Sequence, residues 1–367
     1  MADLDDTLLE KKPPGSKSAQ TTFAESPCYE PVLSWLRAGH GLCVVTTDDG
    51  HRPFGKFWSS IPTELRRRVF ISTSDGASLF SATEAGALQE VMEYRAGPSM
   101  PRRGLPEGIQ MEELLSLCRE LVLSFFSDCL AGKYTELDKN LASAVARVKG
   151  EIKEGKTLEE ILTVERLAQP GSILPRASMF WRNQAGPVEN WCKAGGPEDA
   201  WWGFTETPGQ KAFFTTLFLM AFPRDKSEPY LERYASRFES LGCHASSAPN
   251  SVCVKSKFVD KAAPVAWLAD PANESYSHGF ALTRAVAFGD NPIGNDRPLT
   301  EFKEMPFVSV ATSHEGAPEG VNFWVGGREG GTTSVLRRLL HEVDGGREPV
   351  GEALAAAVRG LAGKSGL

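Results

Sequence analysis

The chain has 367 residues, 41% of them hydrophobic and 24% charged, with a formal net charge of −7. That balance fits a soluble globular protein with room for two domains, and the acidity speaks against a nucleic-acid surface, which needs a basic stripe. No apolar run reaches 18 residues, and the start lacks the positive and then apolar pattern of a secretory signal, so neither a membrane nor nucleic acid is expected as a partner. The seven cysteines, an odd number, are scattered without zinc-knuckle spacing, which fits buried thiols in a reducing compartment, the cytoplasm.

In chain order, the first stretch of interest is Asp3-Leu4-Asp5-Asp6-Thr7. Two carboxylates one residue apart, followed by a hydroxyl, can aim both acids at one pocket if the segment leaves a strand tip; standing alone, the same pattern describes a solvated terminus. Lys11 to Pro27 reads as a loop, Pro31 to Arg37 as a short helix, and Gly41 to Thr47 as a buried parallel strand ending in hydroxyls and carboxylates. Ligands of α/β proteins bind outside the carboxyl ends of such strands. A helical connection carrying Arg66-Arg67-Arg68 on its wet face leads to a second strand, Val69 to Thr73, and to the turn Asp75-Gly76.

Beyond Thr83 the pattern changes. Met111 to Leu130 and the run Leu137, Leu141, Val145, Val148, Ile152 carry the three-four spacing of amphipathic helices. Pro170 to Gly209 is rich in Trp, Gly and Pro; its aromatics suit either stacking on a sugar or nucleoside or the core of an irregular subdomain. Phe213 to Phe222 reads as a strand, Ser227 to Leu241 as a helix, and the stretches at Cys243 and at Ser251 to Val254 as two more strands. The final third alternates again: a helix from Lys261, strands at Ala285 to Phe288 and Phe307 to Ala311, a helix from Thr332 to His341, and a tail from Glu348 that suits one more short helix.

The second stretch with chemistry is Phe288-Gly289-Asp290-Asn291-Pro292-Ile293-Gly294-Asn295-Asp296. A buried strand delivers Asp290, and glycines permit a turn that returns Asn295 and Asp296 toward the strand end. With Asp3 and Asp5 this makes a hard-oxygen set of the kind Mg2+ takes.

Together these stretches resemble the haloacid dehalogenase (HAD) superfamily of phosphohydrolases, in its Cof-like, sugar-phosphatase and phosphomannomutase-like branch. Asp3, Asp5 and Thr7 meet the first motif, Asp-x-Asp-x-Thr. Thr46 or Thr47 meets the second, a hydroxyl ending a hydrophobic strand. Lys261, opening Lys261-Ala262-Ala263-Pro264-Val265-Ala266-Trp267-Leu268, meets the third, and Gly289-Asp290 with Asn295-Asp296 the fourth. Val325 to Thr332 is similar to the turn into the family's last helix. The fourth turn is two residues longer than the commonest form, and only Met1 and Ala2 precede Asp3, where the family has a buried central strand; that strand is expected to be missing or much shortened.

The resemblance implies an α/β fold: a Rossmann-like parallel-sheet core with helices on both faces, from residues 1–82 and 256–345, an inserted α+β cap over 83–255, and a tail over 346–367. It implies a Mg2+-dependent phosphatase acting on a small phosphorylated metabolite, a sugar or polyol phosphate, as monomer or homodimer. Asp3 is the expected nucleophile and Asp5 the acid and base, with Thr46 and Lys261 on the phosphoryl oxygens. Mg2+ is expected on Asp3, Asp290 and the Asp5 backbone carbonyl, and cap-side contacts from Arg176, Trp181 and Arg182. Thr7, Thr47, Asn295 and Asp296 are expected in support. A phosphomutase, or a non-catalytic binding protein with a shortened first strand, are the alternatives.

Overall fold

The computed structural model describes residues 1–10, 22–47, 51–76, 78–91, 93–94, 111–137, 139–168, 179–183, 214–220, 224–248, 251–256, 259–277, 279–342 and 353–358. The chain divides into two compact units, one combining Met1–Gly97 with Val259–Leu367, the other Pro98–Ala185 with Pro208–Phe258. The divisions fall near 97 and 258, where the sequence reading put them near 82 and 255. The first lies later because the residues after 82 still belong to the sheet of the first unit.

In that unit, Leu42–Val45 forms β1 and pairs in parallel with β2, Val69–Thr73, every residue of both being buried. Such unbroken burial is what a parallel sheet covered on both faces demands. The chain then turns through Ser74–Gly76 into β3 (Ser78–Ala82) and β4 (Leu88–Glu90), both antiparallel. This edge hairpin was not expected, since short stretches rich in Ser and Ala carry little strand pattern.

The second unit is α+β. Strands β5 (Met179–Asn183), β6 (Phe214–Met220), β7 (Cys243–Ala248) and β8 (Ser251–Ser256) form an antiparallel sheet in the order β5-β6-β8-β7. Helices Met111–Leu130, Lys139–Lys153 and Arg224–Ser240 meet in a core that joins Leu121, Phe125 and Val145 to Tyr230, Phe238 and Val252. The three-four spacing of the first two helices delivers this single apolar stripe.

Back in the first unit, β9 (Ala287–Gly289), β10 (Phe307–Ser309) and β11 (Val321–Trp324) are parallel in the order β11-β10-β9. The opening residues join the two sets of strands: Ala2 bridges in parallel to Val44 of β1 and to Phe288 of β9. The Ala2 amide donates to Cys43 O at 3.0 Å, Val45 N to Ala2 O at 2.9 Å, Asp3 N to Phe288 O at 3.0 Å and Phe288 N to Met1 O at 3.0 Å. Met1 to Asp3 are therefore paired on both sides, between β1 and β9.

Alternation along these strands covers both faces. Leu42, Val44, Val69, Ile71 and Phe288 face a core containing Val32 and Leu36 of helix Tyr29–Arg37 and Val335 and Leu339 of helix Glu329–Glu342. Cys43, Val45, Phe70 and Ala287 face the other core, with Val265 and Leu268 of helix Ala262–Ala269. Ala353, Leu354 and Ala357, expected in a separate tail, pack into the first of these cores. No described helix is long and apolar enough to cross a membrane.

The turn after β2 and the start of helix Ala262–Ala269 interlock. Asp260 Oδ1 accepts from the amides of Ala262 and Ala263 at 2.8 and 2.9 Å, and Gly76 packs against Asp260 with φ +94°. A Cβ on Gly76 would lie 1.9 Å from Asp260 O. Gly76→Ala is expected to destabilise the first unit by about 1–3 kcal/mol, read as a lowered urea midpoint with unchanged slope.

Candidate active site

Four strand ends converge at the carboxyl edge of the sheet. The paired opening segment delivers Asp3, β1 runs into Thr46 and Thr47, β2 into Asp75, and β9 into Asp290. Asp3 Oδ1 accepts from its neighbour Leu4 N at 2.8 Å and from Lys261 Nζ at 2.8 Å. The Lys261 side chain is fully buried, and its ammonium also reaches Asp296 Oδ1 at 2.7 Å. Asp296 Oδ2 accepts from Asn291 N at 2.9 Å, closing the long turn after β9 back onto the strand end. Gly289 permits this closure, because a Cβ there would lie 2.4 Å from Asp296 Oδ2.

The electrostatics are unbalanced. One buried ammonium stands among Asp3, Asp296 and Asp75; burial alone would discharge Lys261, but Asp296 and then Asp3 and Asp75 hold its pKa above the ordinary value. Burial pushes the Asp3 carboxyl well up, Lys261 opposes this, and Asp296 and Asp290 push it further. Burial, and next the charge of Asp296, raise Asp290 to about 7; Lys261 and a hydrogen bond with Asp3 act against this rise. Carboxylates this crowded hold a proton or a cation.

Oxygens of Asp3, Asp290 and Asp296 lie within 4.8 Å of one another. Three hard anionic donors, with one ammonium against them, fit a divalent oxygen-seeking cation such as Mg2+. Asp296, expected only in support, thus takes a place in the carboxylate group, whereas the Asp5 side chain is not one of the three.

The remaining expected residues divide. Thr47 Oγ1 donates to Asp75 Oδ1 at 2.8 Å and accepts from Asn295 Nδ2 at 3.0 Å, and Asn291 Nδ2 donates to Asn295 Oδ1 at 3.0 Å. Thr46 is buried with its backbone tied to Ser72 and Asp75. Thr7 is buried, and its hydroxyl has no hydrogen-bond partner. Asp5 is partly exposed in the turn that returns to Leu9. Trp181 and Arg182 lie on β5 of the second unit, opposite Leu217 and Thr216, and Arg176 lies outside the described residues.

Asp75, Asn291 and Arg328 were missed as site residues. Asp75 carried one signal, its place directly after a buried strand; Arg328 Nη1 meets Asp6 Oδ1 at 3.5 Å across 322 positions of sequence, which nothing local announces. A cavity of about 550 Å³ lies at the other end of the strands, beside Leu42, Ala285 and Val286, and none of the carboxylates or Lys261 lines it.

No protein-family model matches the sequence, and no curated protein matches it. Among solved structures the chain is similar to a haloacid dehalogenase-like hydrolase from Bacteroides thetaiotaomicron, at 13% identity and TM-score 0.48 over 92% of this chain and 97% of that one. It is similar to TM0651 from Thermotoga maritima, at 13% identity and TM-score 0.43 over 92% and 95%. An N-terminally truncated IMP-nucleotidase from Plasmodium falciparum matches at 12% identity and TM-score 0.41 over 84% and 65%. These likenesses are loose, and the chemistry must be argued from the side chains themselves.

A carboxyl whose folded pKa stands near 7, above its ordinary 3.8, binds its proton more tightly in the native state, so cation-free protein loses stability as pH rises from about 4 to about 7. Asp290→Asn removes that loss. In thermal melts with chelator, the melting temperature of the wild type is expected to fall between pH 5 and pH 7.5 by more than that of the variant.

Proposed function

We propose that the chain is a Mg2+-dependent phosphohydrolase of the haloacid dehalogenase type, acting on a small phosphorylated metabolite, a sugar or polyol phosphate, through an aspartyl-phosphate. The observation that carries this reading is the buried Lys261 ammonium bonded to both Asp3 and Asp296, with Asp290 beside them at one strand edge. A structural ion pair needs one carboxylate per cation, and a surplus of buried carboxylates is of use where a cation and an anionic substrate complete the balance.

In this reading Asp3 is the nucleophile. Leu4 N and Lys261 Nζ both bond its Oδ1, which makes Oδ2 the oxygen that attacks phosphorus as the P–O bond to the leaving group breaks. Asp5 gives a proton to that leaving oxygen, then takes one from the water that attacks the phosphorus of the aspartyl-phosphate, releasing inorganic phosphate and restoring Asp3. Lys261 spends one of its three N–H donors on Asp3, fixing its rotamer, and one on Asp296, and turns the third toward a phosphoryl oxygen. Thr46, at the end of β1, offers its hydroxyl to the same group, and Thr47 holds Asn295 and Asp75 in register. Asp3, Asp290 and Asp296 would hold Mg2+, with the Asp5 backbone carbonyl that the resemblance adds; bound there, the ion supplies neutralisation of phosphoryl charge. The second unit is read as the cap that selects the leaving group, with Trp181 and Arg182 its candidate contacts.

Turnover of p-nitrophenyl phosphate with and without Mg2+ tests the reading. Asp3→Asn, close in shape, is expected to lower kcat by about 1,000-fold or more while leaving the fold intact. Absence of Mg2+-dependent turnover in the wild type, or its survival in Asp3→Asn, overturns the assignment. Lys261→Ala is expected to cost about 3–5 kcal/mol of stability as well as activity, because it leaves carboxylates buried without their cation; urea denaturation measures this.

A further inference from the structure

Among the described residues, three non-glycines have positive φ: Asp6 at 54°, Asp75 at 57° and Arg328 at 51°. All three border the carboxylate group. Asp75 accepts from Thr47 and acts on Lys261, Asp6 acts on Asp290, and Arg328 pairs with Asp6. Backbone strain of this kind collects where a side chain must be held in one place.

Arg328 follows two glycines that also have positive φ, Gly326 and Gly327, and a third glycine would take its conformation without strain. An arginine there is explained by what its guanidinium does. Its backbone is fixed by the bond from Arg328 N to Val310 O at 2.9 Å and by the following helix, so the side chain starts from a rigid base beyond β10. It reaches Asp6, whose own amide bonds Leu9 O at 2.7 Å within the returning turn. Asp5 lies between Asp3, anchored by Lys261, and Asp6, anchored by Arg328.

We propose that Arg328 is a positioning residue: its ion pair with Asp6 pins the Asp3–Leu9 turn and with it the Asp5 carboxyl, while offsetting the charge that Asp6 adds beside Asp290. The role rests on the reading of Asp5 as acid and base given above. Arg328 does not touch the reacting atoms; it acts through Asp6.

Two substitutions separate the side chain from the backbone. Arg328→Asn tolerates a left-handed backbone but carries no charge, whereas Arg328→Lys keeps the charge. With p-nitrophenyl phosphate and Mg2+, Arg328→Asn is expected to lower kcat about tenfold or more with KM changed less than about threefold, and Arg328→Lys to recover most of the loss. Arg328→Asn added to Asp6→Asn should cost little further, since the two act as one unit. Amide hydrogen exchange over residues 4–10 should quicken in Arg328→Asn and not in Arg328→Lys. Wild-type exchange in Arg328→Asn overturns the proposal, whether or not kcat falls. If the wild type shows no turnover, the phosphatase reading fails and the exchange comparison alone decides whether the pair pins the turn.

Discussion

Lys261 is a fully buried lysine whose ammonium touches two aspartates from distant parts of the chain. Burying that charge is tolerable only with Asp3 and Asp296 in place, and burying those acids is tolerable only with the ammonium between them. The rest of the first unit serves this mutual dependence. The sheet brings Asp3 and β9 side by side, the turn after β9 folds Asp296 back, Gly289 leaves room for it, and Asp260 with Gly76 fixes the start of the lysine's helix. Loss of any one of these leaves a charge in a low-dielectric interior without its counterpart.

Much of the fold was legible because its signals are periodic. The apolar runs at β1 and β2 are strands buried on both faces, and the stripe through Leu114, Leu121 and Phe125 is a helix in a core. What escaped was short or two-sided. The β3–β4 hairpin has too few large side chains to read as strands, and β11 alternates between half-buried and exposed. The packing of Ala353, Leu354 and Ala357 is a tertiary event with only a weak local pattern behind it.

At the site, legibility followed the carboxylates. Asp3, Lys261, Asp290 and Asp296 each end a strand or open a helix, and that placement is written locally. Which carboxylates share a cation position is not, since it depends on how the turn from Asn291 to Asp296 closes; Asp296 therefore entered where the Asp5 side chain did not. Asp75 and Arg328 share a different difficulty. Both are held in the left-handed backbone region, which an aspartate enters only occasionally and an arginine seldom, so neither conformation is announced by pattern.

The segment Met1 to Asp3 lies between β1 and β9, two partners separated by most of the chain. Ala2 pairs with β1 after some forty residues, but Asp3 with Phe288 only across 285 positions, with the whole second unit between in sequence. Contacts of such sequence separation form late, because their loop closure must follow the ordering of what lies between. Asp3 is made before its partners, since Lys261 and Asp296 follow it by 258 and 293 residues. During synthesis the Asp3 to Thr7 turn is thus an ordinary hydrated acidic segment. Its charge balance comes into being as an assembly event, which ties the buried carboxylate group to completion of the first unit.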